Sequence, residues 1–195
     1  MKIYFTSDYH LNHANIIRYC ERPFKDVKHM NETIIKNHNA RVKDEDLVIH
    51  NGDFCFRNSP GGKTGEGLPE KAESFLEQLK GQVICVKGNH DRNNSLKTPI
   101  EKMYIKYGGK RICITHNPTH ADPECAINLV GHVHEKWEIR PLGDKSIMIN
   151  VGVDVWNFRP VTYEEINSRL AKWKRANATK KIENEDKCEG TSPEV

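Results

Sequence analysis

Apolar residues change their period several times along the chain, and each change marks an element. Residues 2–7 alternate and end at Asp8, the pattern of a first strand that delivers Asp8 and His10 to its C-terminal end. Residues 14–20 read as a short helix closed by Arg22-Pro23-Phe24. A longer helix follows over 28–42, with Met30, Ile34 and His38 at four-residue spacing. A second strand, 46–50, runs into Asn51-Gly52-Asp53, so Asp53 is again presented at a strand end beside a glycine. Pro69 in a first helical turn, then Ala72, Phe75, Leu76 and Leu79 on one face, with Gly81 just past the end, predict a third helix. It feeds the apolar run 83–86, which turns at Gly88-Asn89-His90-Asp91. Residues 103–107 and 111–115 flank Gly108-Gly109 as a hairpin whose second strand ends at His116. The run 127–130 ends in Gly131-His132-Val133-His134, and 137–140 with 146–151 make a second hairpin candidate around Gly143-Asp144. The last helix starts at Thr162, where Glu165 completes a capping box and Tyr163, Ile166, Leu170 and Trp173 form a buried stripe.

Two stretches break the pattern. Residues 57–67 are too rich in Gly and Pro for regular structure and read as a surface loop. Within them Gly62-Lys63-Thr64 imitates the end of a phosphate-binding loop, but Arg57 stands where that motif needs its first glycine and no strand precedes it. From Arg175 onward the chain is polar, so residues 1–174 are expected to form one domain and 175–195 a disordered tail. A chain of 195 residues with 36% hydrophobic content supports one sizeable core rather than two.

A formal charge of +3 is compatible with a nucleotide or nucleic-acid partner without requiring one, and the Lys and Arg residues are spread rather than clustered. The six cysteines form no CxxC pair and read as reduced, mostly buried thiols. The first residues reach Asp8 too early to hold a secretory apolar core, and no run has membrane-spanning length. A cytoplasmic protein without membrane contact is the expectation.

Half of the ten histidines, namely His10, His90, His116, His132 and His134, fall at predicted strand ends beside Gly, Asp or Asn. An imidazole is poorly placed to pack there. For any one of them a satisfied loop or core role is the plain alternative; for the set in this order it is not. In an extended segment the Asp8-x-His10 and His132-x-His134 spacings point both side chains the same way. Asn89 offers a neutral oxygen ligand and His90 a proton near neutral pH. Oxygen and imidazole donors without thiolate favour manganese, iron or zinc over a structural zinc knot.

The ordered set Asp-x-His, Gly-Asp, Gly-Asn-His-Asp, His-x-Pro and Gly-His-x-His resembles the calcineurin-like metallophosphoesterase superfamily over residues 3 to about 154. Ser7-Asp8-Tyr9-His10, His13-Ala14-Asn15-Ile16-Ile17 and Arg22-Pro23-Phe24 are similar to a small subgroup found in bacteria and phages. The resemblance implies an α/β fold, a four-layer αββα sandwich of two mixed β-sheets flanked by helices. It implies two divalent metal ions, manganese ahead of iron, zinc or nickel. Asp8, His10 and His134 would hold one, Asn89, His116 and His132 the other, and Asp53 would bridge them. A hydroxide shared by the metals would attack phosphorus in line, and the charge left by two divalent ions, two carboxylates and one hydroxide is about +1, which attracts a phosphate. His90 matches the family's non-ligand histidine, which would protonate or stabilise the leaving oxygen.

Asp91 could orient His90 or serve the backbone. Phe56 stands where some relatives carry a second acid, and the missing Gly-Asp-x-x-Asp-Arg-Gly stretch argues against the Ser/Thr protein phosphatases. His13 and Arg22 are candidate substrate-phosphate contacts, with a helix start and a solvated cation as alternatives. Trp156 and Phe158 could stack a base or pack. The expected function is hydrolysis of a small phosphomonoester or phosphodiester, nucleotide-derived substrates included. The alternatives are a non-catalytic scaffold of the same fold and a nuclease.

Overall fold

The computed structural model describes residues 1–56, 67, 69–91 and 96–189, with side chains through 178. The first sheet has the order β3-β2-β1-β9, built from β1 (Ile3–Thr6), β2 (Leu47–Asn51), β3 (Gln82–Val86) and the short β9 (Val161–Thr162). β1, β2 and β3 run parallel, and β9 closes the sheet antiparallel to β1. Parallel strands lie covered on both faces. Tyr4, Phe5 and Thr6 are accordingly all buried.

The crossover from β1 to β2 carries α1 (Ala14–Tyr19) and α2 (Val27–Asn39), and that from β2 to β3 carries α3 (Ala72–Leu76). Ile16 of α1, Val27, Met30 and Ile34 of α2, and Ala72 and Phe75 of α3 share one core with Tyr9, Leu11, Phe54 and Cys55. Asp26 caps α2 by accepting from His29 N at 2.7 Å. The helix stops short of Val42, because residues 40–42 turn off its end with Arg41 N and Val42 N both bonded to His38 O. Val42 then joins Tyr4 and Val48 in a second small cluster. α3 is likewise shorter than the apolar face predicts. After Leu76 the chain tightens into bonds three residues apart, from Gln78 N to Phe75 O and from Leu79 N to Leu76 O.

The second sheet has the order β4-β5-β6-β8-β7, from β4 (Lys102–Tyr107), β5 (Lys110–Thr115), β6 (Ile127–Val130), β7 (Ile139–Leu142) and β8 (Ser146–Asn150). Its centre is parallel and its two edges are antiparallel hairpin strands. The β4–β5 turn is at Gly108-Gly109, both with positive φ (56° and 72°). β7 begins two residues later than the predicted 137–140 and carries Pro141 on the sheet's edge, the position where a missing N–H is tolerated. Two mixed sheets with flanking helices are thus the α/β architecture that the resemblance implies.

The sheets meet at the C-terminal ends of their parallel strands. Ser7 and Gly152 form a bridge there, and Asn51 Nδ2 donates to Thr115 O at 2.9 Å and Leu129 O at 3.1 Å. The chain divides into two compact units, Met1–Tyr163 and Glu164–Val195. The helix α4 (Tyr163–Glu189) runs on well past Arg175, where the sequence suggests a disordered tail. No helix among the described residues is long and apolar enough to cross a membrane. The surface loop read over 57–67 lies, but for Gly67, outside the described residues.

Candidate metal centre

The loops that leave β1 and β2 run side by side: Asp8 N donates to Gly52 O, His10 N to Asp53 O and Leu11 N to Phe54 O, each at 3.0 Å. Asp8, His10, Asp53, His132 and His134 all have left-handed backbones, with φ of 59°, 49°, 56°, 70° and 48°. Such conformations are uncommon for side-chain-bearing residues and collect at functional sites. They also correct the expected geometry. Asp8 and His10 share a direction because both sit in left-handed turns with Tyr9 buried between them, not because the segment is extended.

Two glycines admit this crowding. At Gly52 (φ 92°) a Cβ would lie 2.5 Å from His116 Nδ1 and 2.8 Å from Gly88 Cα, and at Gly88 it would run into the Asp53 carboxylate. Asp91 ties the turns together. Its carboxylate accepts from Gly88 N at 2.7 Å, Asp53 N at 2.8 Å and Phe54 N at 3.0 Å, while Asp53 Oδ1 accepts from His90 N at 2.8 Å. The backbone role is therefore the one the structure gives it. Burial, only partly offset by these bonds, pushes Asp91 up.

Two groups of metal-type side chains converge above these turns. The donor atoms of Asp8, His10 and His134 all lie within 4.8 Å of one another, and so do those of Asp53, His116 and His132. Asp53 stands between the groups, with Oδ2 3.4 Å from His10 Nε2 and 3.2 Å from His116 Nε2. Asn89 Oδ1 is 3.1 Å from His116 Nε2 and 2.8 Å from His132 Nδ1. All seven candidate ligands are thus brought to one place.

The electrostatics of the group call for cations. His10 Nε2 and Asp53 Oδ2 are buried and have no hydrogen-bond partner among the described residues, an arrangement that costs free energy unless an ion satisfies both. Burial pushes Asp8 up, with His116 and His134 opposing it and Asp53 adding to it. Burial works the same way on Asp53, but the close imidazoles of His10 and His116 prevail and hold it well below the usual carboxylate range. Burial lowers His10 to about 3. His116 is raised to about 9 against its burial, by Asp53 and Asp8. His134 reaches about 10 against its own, by Asp154, Cys20 and Asp8. Protons on these two imidazoles balance the carboxylates, and divalent cations would displace them. The donor set, oxygen and imidazole with no thiolate among the seven, fits divalent cations.

Behind the ligands lies a layer that positions them. His134 Nδ1 is 3.0 Å from Asp154 Oδ2, and His116 Nδ1 donates to Asn51 O at 2.9 Å. Asp154 is held by Arg22, whose Nε and Nη2 donate to its two oxygens at 2.7 and 2.9 Å. Burial would raise Asp154, but His134 and Arg22 prevail and bring it to about 2. Arg22 also donates to Asp8 O at 2.7 Å and Tyr9 O at 3.0 Å, and it is only 4% exposed. Its reading as a phosphate contact is corrected on that ground: the guanidinium is committed to protein acceptors and braces the centre from behind. Asp154 went unassigned in the sequence, although Gly152-Val153-Asp154 after a strand is the kind of signal that picks out Asp53.

A cleft of ≈ 560 Å³ opens on the centre, lined among others by His13, Ile16, Tyr19, Phe56, His90 and Lys136. His90 is exposed, with its ring 5.3 Å from that of His10 and 5.7 Å from that of His13. His13 stacks on Phe56 at 4.6 Å and 17°. Trp156 is a packing residue, 5% exposed with Nε1 bonded to Asn150 O at 2.8 Å. Phe158 packs edge-on against Phe24 at 4.7 Å.

Two metal-type triads, with Asp53 of one within 3.4 Å of His10 of the other, lie at the meeting edge of two mixed sheets, and the sequence comparison places the chain in a class. The chain belongs to the calcineurin-like phosphoesterase family, whose profile matches residues 1–119. That stretch includes Asp8, His10, Asp53, Asn89 and His116. Among individual proteins, the chain is similar to an uncharacterized protein of Methanocaldococcus jannaschii, 36% identical over 181 residues that cover 89% of this chain and 93% of that one. The crystal structure of a protein of unknown function from Aquifex aeolicus superposes with a TM-score of 0.64 at 27% identity, covering 85% of this chain and 97% of that one. A phosphoesterase from E. coli, Yfce, is similar at a TM-score of 0.42 and 19% identity, covering 84% and 82%.

Proposed function

We propose that this protein hydrolyses small phosphate esters with the help of two divalent metal ions. The observation that carries the reading is Asp53 Oδ2, buried without a hydrogen-bond partner among the described residues and within 3.4 Å of imidazole nitrogens from both groups. Asp8, His10 and His134 would hold one ion, Asn89, His116 and His132 the second, and Asp53 would be shared. The mixed oxygen and imidazole donors suit manganese, iron or zinc, and the family resemblance puts manganese first, with nickel a further candidate. When bound, the ions would supply Lewis acidity toward the phosphoryl oxygens and a water of pKa about 7.

The chain's own residues supply the rest. His90 reaches the cleft from a backbone anchored on Asp53 Oδ1 and would donate a proton to the leaving oxygen as the P–O bond breaks, a contribution of roughly 10² to 10⁴ in rate. Ile16, Tyr19 and Phe56 give the cleft an apolar side against which the leaving group would rest, and Lys136 a cation at its edge. Phosphodiesters and phosphomonoesters are both compatible with that opening.

The test is turnover of p-nitrophenyl phosphate and bis-p-nitrophenyl phosphate by metal-stripped protein, with manganese, zinc, nickel, iron or magnesium added back. Metal-restored hydrolysis is expected, lost in Asn89→Ala and reduced at least about 10²-fold in kcat in His90→Ala. Folded protein that turns over neither ester with any metal would favour a non-catalytic scaffold instead.

A further inference from the structure

We infer that His13 is the positioning residue that fixes His10 as a metal ligand, its Nδ1 accepting the hydrogen bond that keeps the His10 proton on Nδ1. The inference rests on the dimetal reading above. A neutral imidazole that offers a lone pair at one nitrogen carries its proton on the other, and the partner of that N–H sets tautomer and ring orientation. Asp154 is such a partner for His134, and Asn51 O for His116. For His10 the partner is another imidazole: its Nδ1 lies 3.1 Å from His13 Nδ1. Only one nitrogen of that pair holds the proton. His10 Nε2 faces Asp53 Oδ2 and Asp8 Oδ1 at 3.4 and 3.9 Å with no hydrogen-bond partner among the described residues. A cation there needs the Nε2 lone pair, which sends the His10 proton to Nδ1, makes His13 Nδ1 the acceptor and leaves the His13 proton on Nε2.

The local fold is built for this contact. His13 N donates to His10 O at 3.0 Å, so one tight turn places both rings. His13 occupies the N-cap of α1 yet makes no side-chain capping bond, although Ser, Thr, Asp or Asn is the residue that stabilises a helix there. Its ring edge meets His10 instead, and its face stacks on Phe56 at 4.6 Å.

The experiment is calorimetric titration of the metal-stripped full chain with zinc, with thermal melts as the check on folding. Wild-type protein is expected to show two sites. In His13→Ala one site weakens roughly 10- to 100-fold and the other is unchanged. In His13→Asn, whose Oδ1 takes the place of Nδ1 as acceptor, most of that loss is recovered. Long-range ¹H–¹⁵N spectra of the zinc-loaded protein should show His10 protonated on Nδ1 and His13 on Nε2. Wild-type affinity at both sites in His13→Ala, or a His10 proton on Nε2 in the zinc-loaded protein, would overturn the inference and leave the dimetal reading standing. A folded wild-type chain that binds no zinc would overturn both.

Discussion

His50 shows what burial does to a titratable residue that the centre does not use. It is 1% exposed, neither ring nitrogen has a hydrogen-bond partner among the described residues, and burial, with His38 and His116 adding, lowers it to about 3. Its unfolded value is near 6.5, so between those two values the unfolded chain binds a proton that the native chain refuses. Stability is therefore lost as pH falls below 6.5, by about 2 kcal/mol at pH 5 from this residue alone. In His50→Leu the difference in urea-unfolding free energy between pH 7 and pH 5 should shrink by about that amount; an unchanged difference would refute the assignment. Legibility at this scale follows the range of each residue's partners. The ligands stand out because Asp, Asn and His at strand ends beside glycine are local features. Arg22 misleads because its partner Asp154 is 132 positions away, so a buried brace reads like a solvated cation near the site.

At the scale of elements, the turns matter more than the strands they follow. Gly52 and Gly109 both have positive φ, yet a Cβ at Gly109 meets nothing within 4 Å, whereas at Gly52 it meets His116 and the Gly88 backbone. Gly109→Ala should therefore cost about 1 kcal/mol in unfolding experiments, from backbone strain alone. Gly52→Ala should in addition displace His116 and abolish metal-dependent turnover. Equal behaviour of the two variants would contradict the crowding argument. Apolar period made the strands and α2 legible to within a few residues. It overextended α3, where the apolar face continues through Leu79 but the chain has already tightened into turns. It also missed the left-handed turns, since a two-residue ligand spacing looks the same in an extended segment.

Across the whole molecule, the candidate ligands come from both sheets. Asp8, His10, Asp53 and Asn89 follow strands of the first, and His116, His132 and His134 follow strands of the second. Ions held there would tie the sheets at the edge where Asn51 already joins them. Because such ions bind the native state and not the unfolded chain, an excess of about 100 Kd should stabilise the stripped protein by about 2.7 kcal/mol per site. Absence of any shift in the melting temperature with manganese or zinc would count against the centre. The pairing of the sheets was legible only through the family resemblance, since no periodicity in the chain says that one sheet's edge faces another's.

The most direct test of the account is to measure bound metal per chain and turnover of bis-p-nitrophenyl phosphate in the same preparations of wild-type protein and Asp53→Asn. The wild type should hold two ions per chain and the variant fewer, with a kcat at least about 10²-fold lower. A folded Asp53→Asn protein with wild-type metal content and wild-type turnover would contradict it.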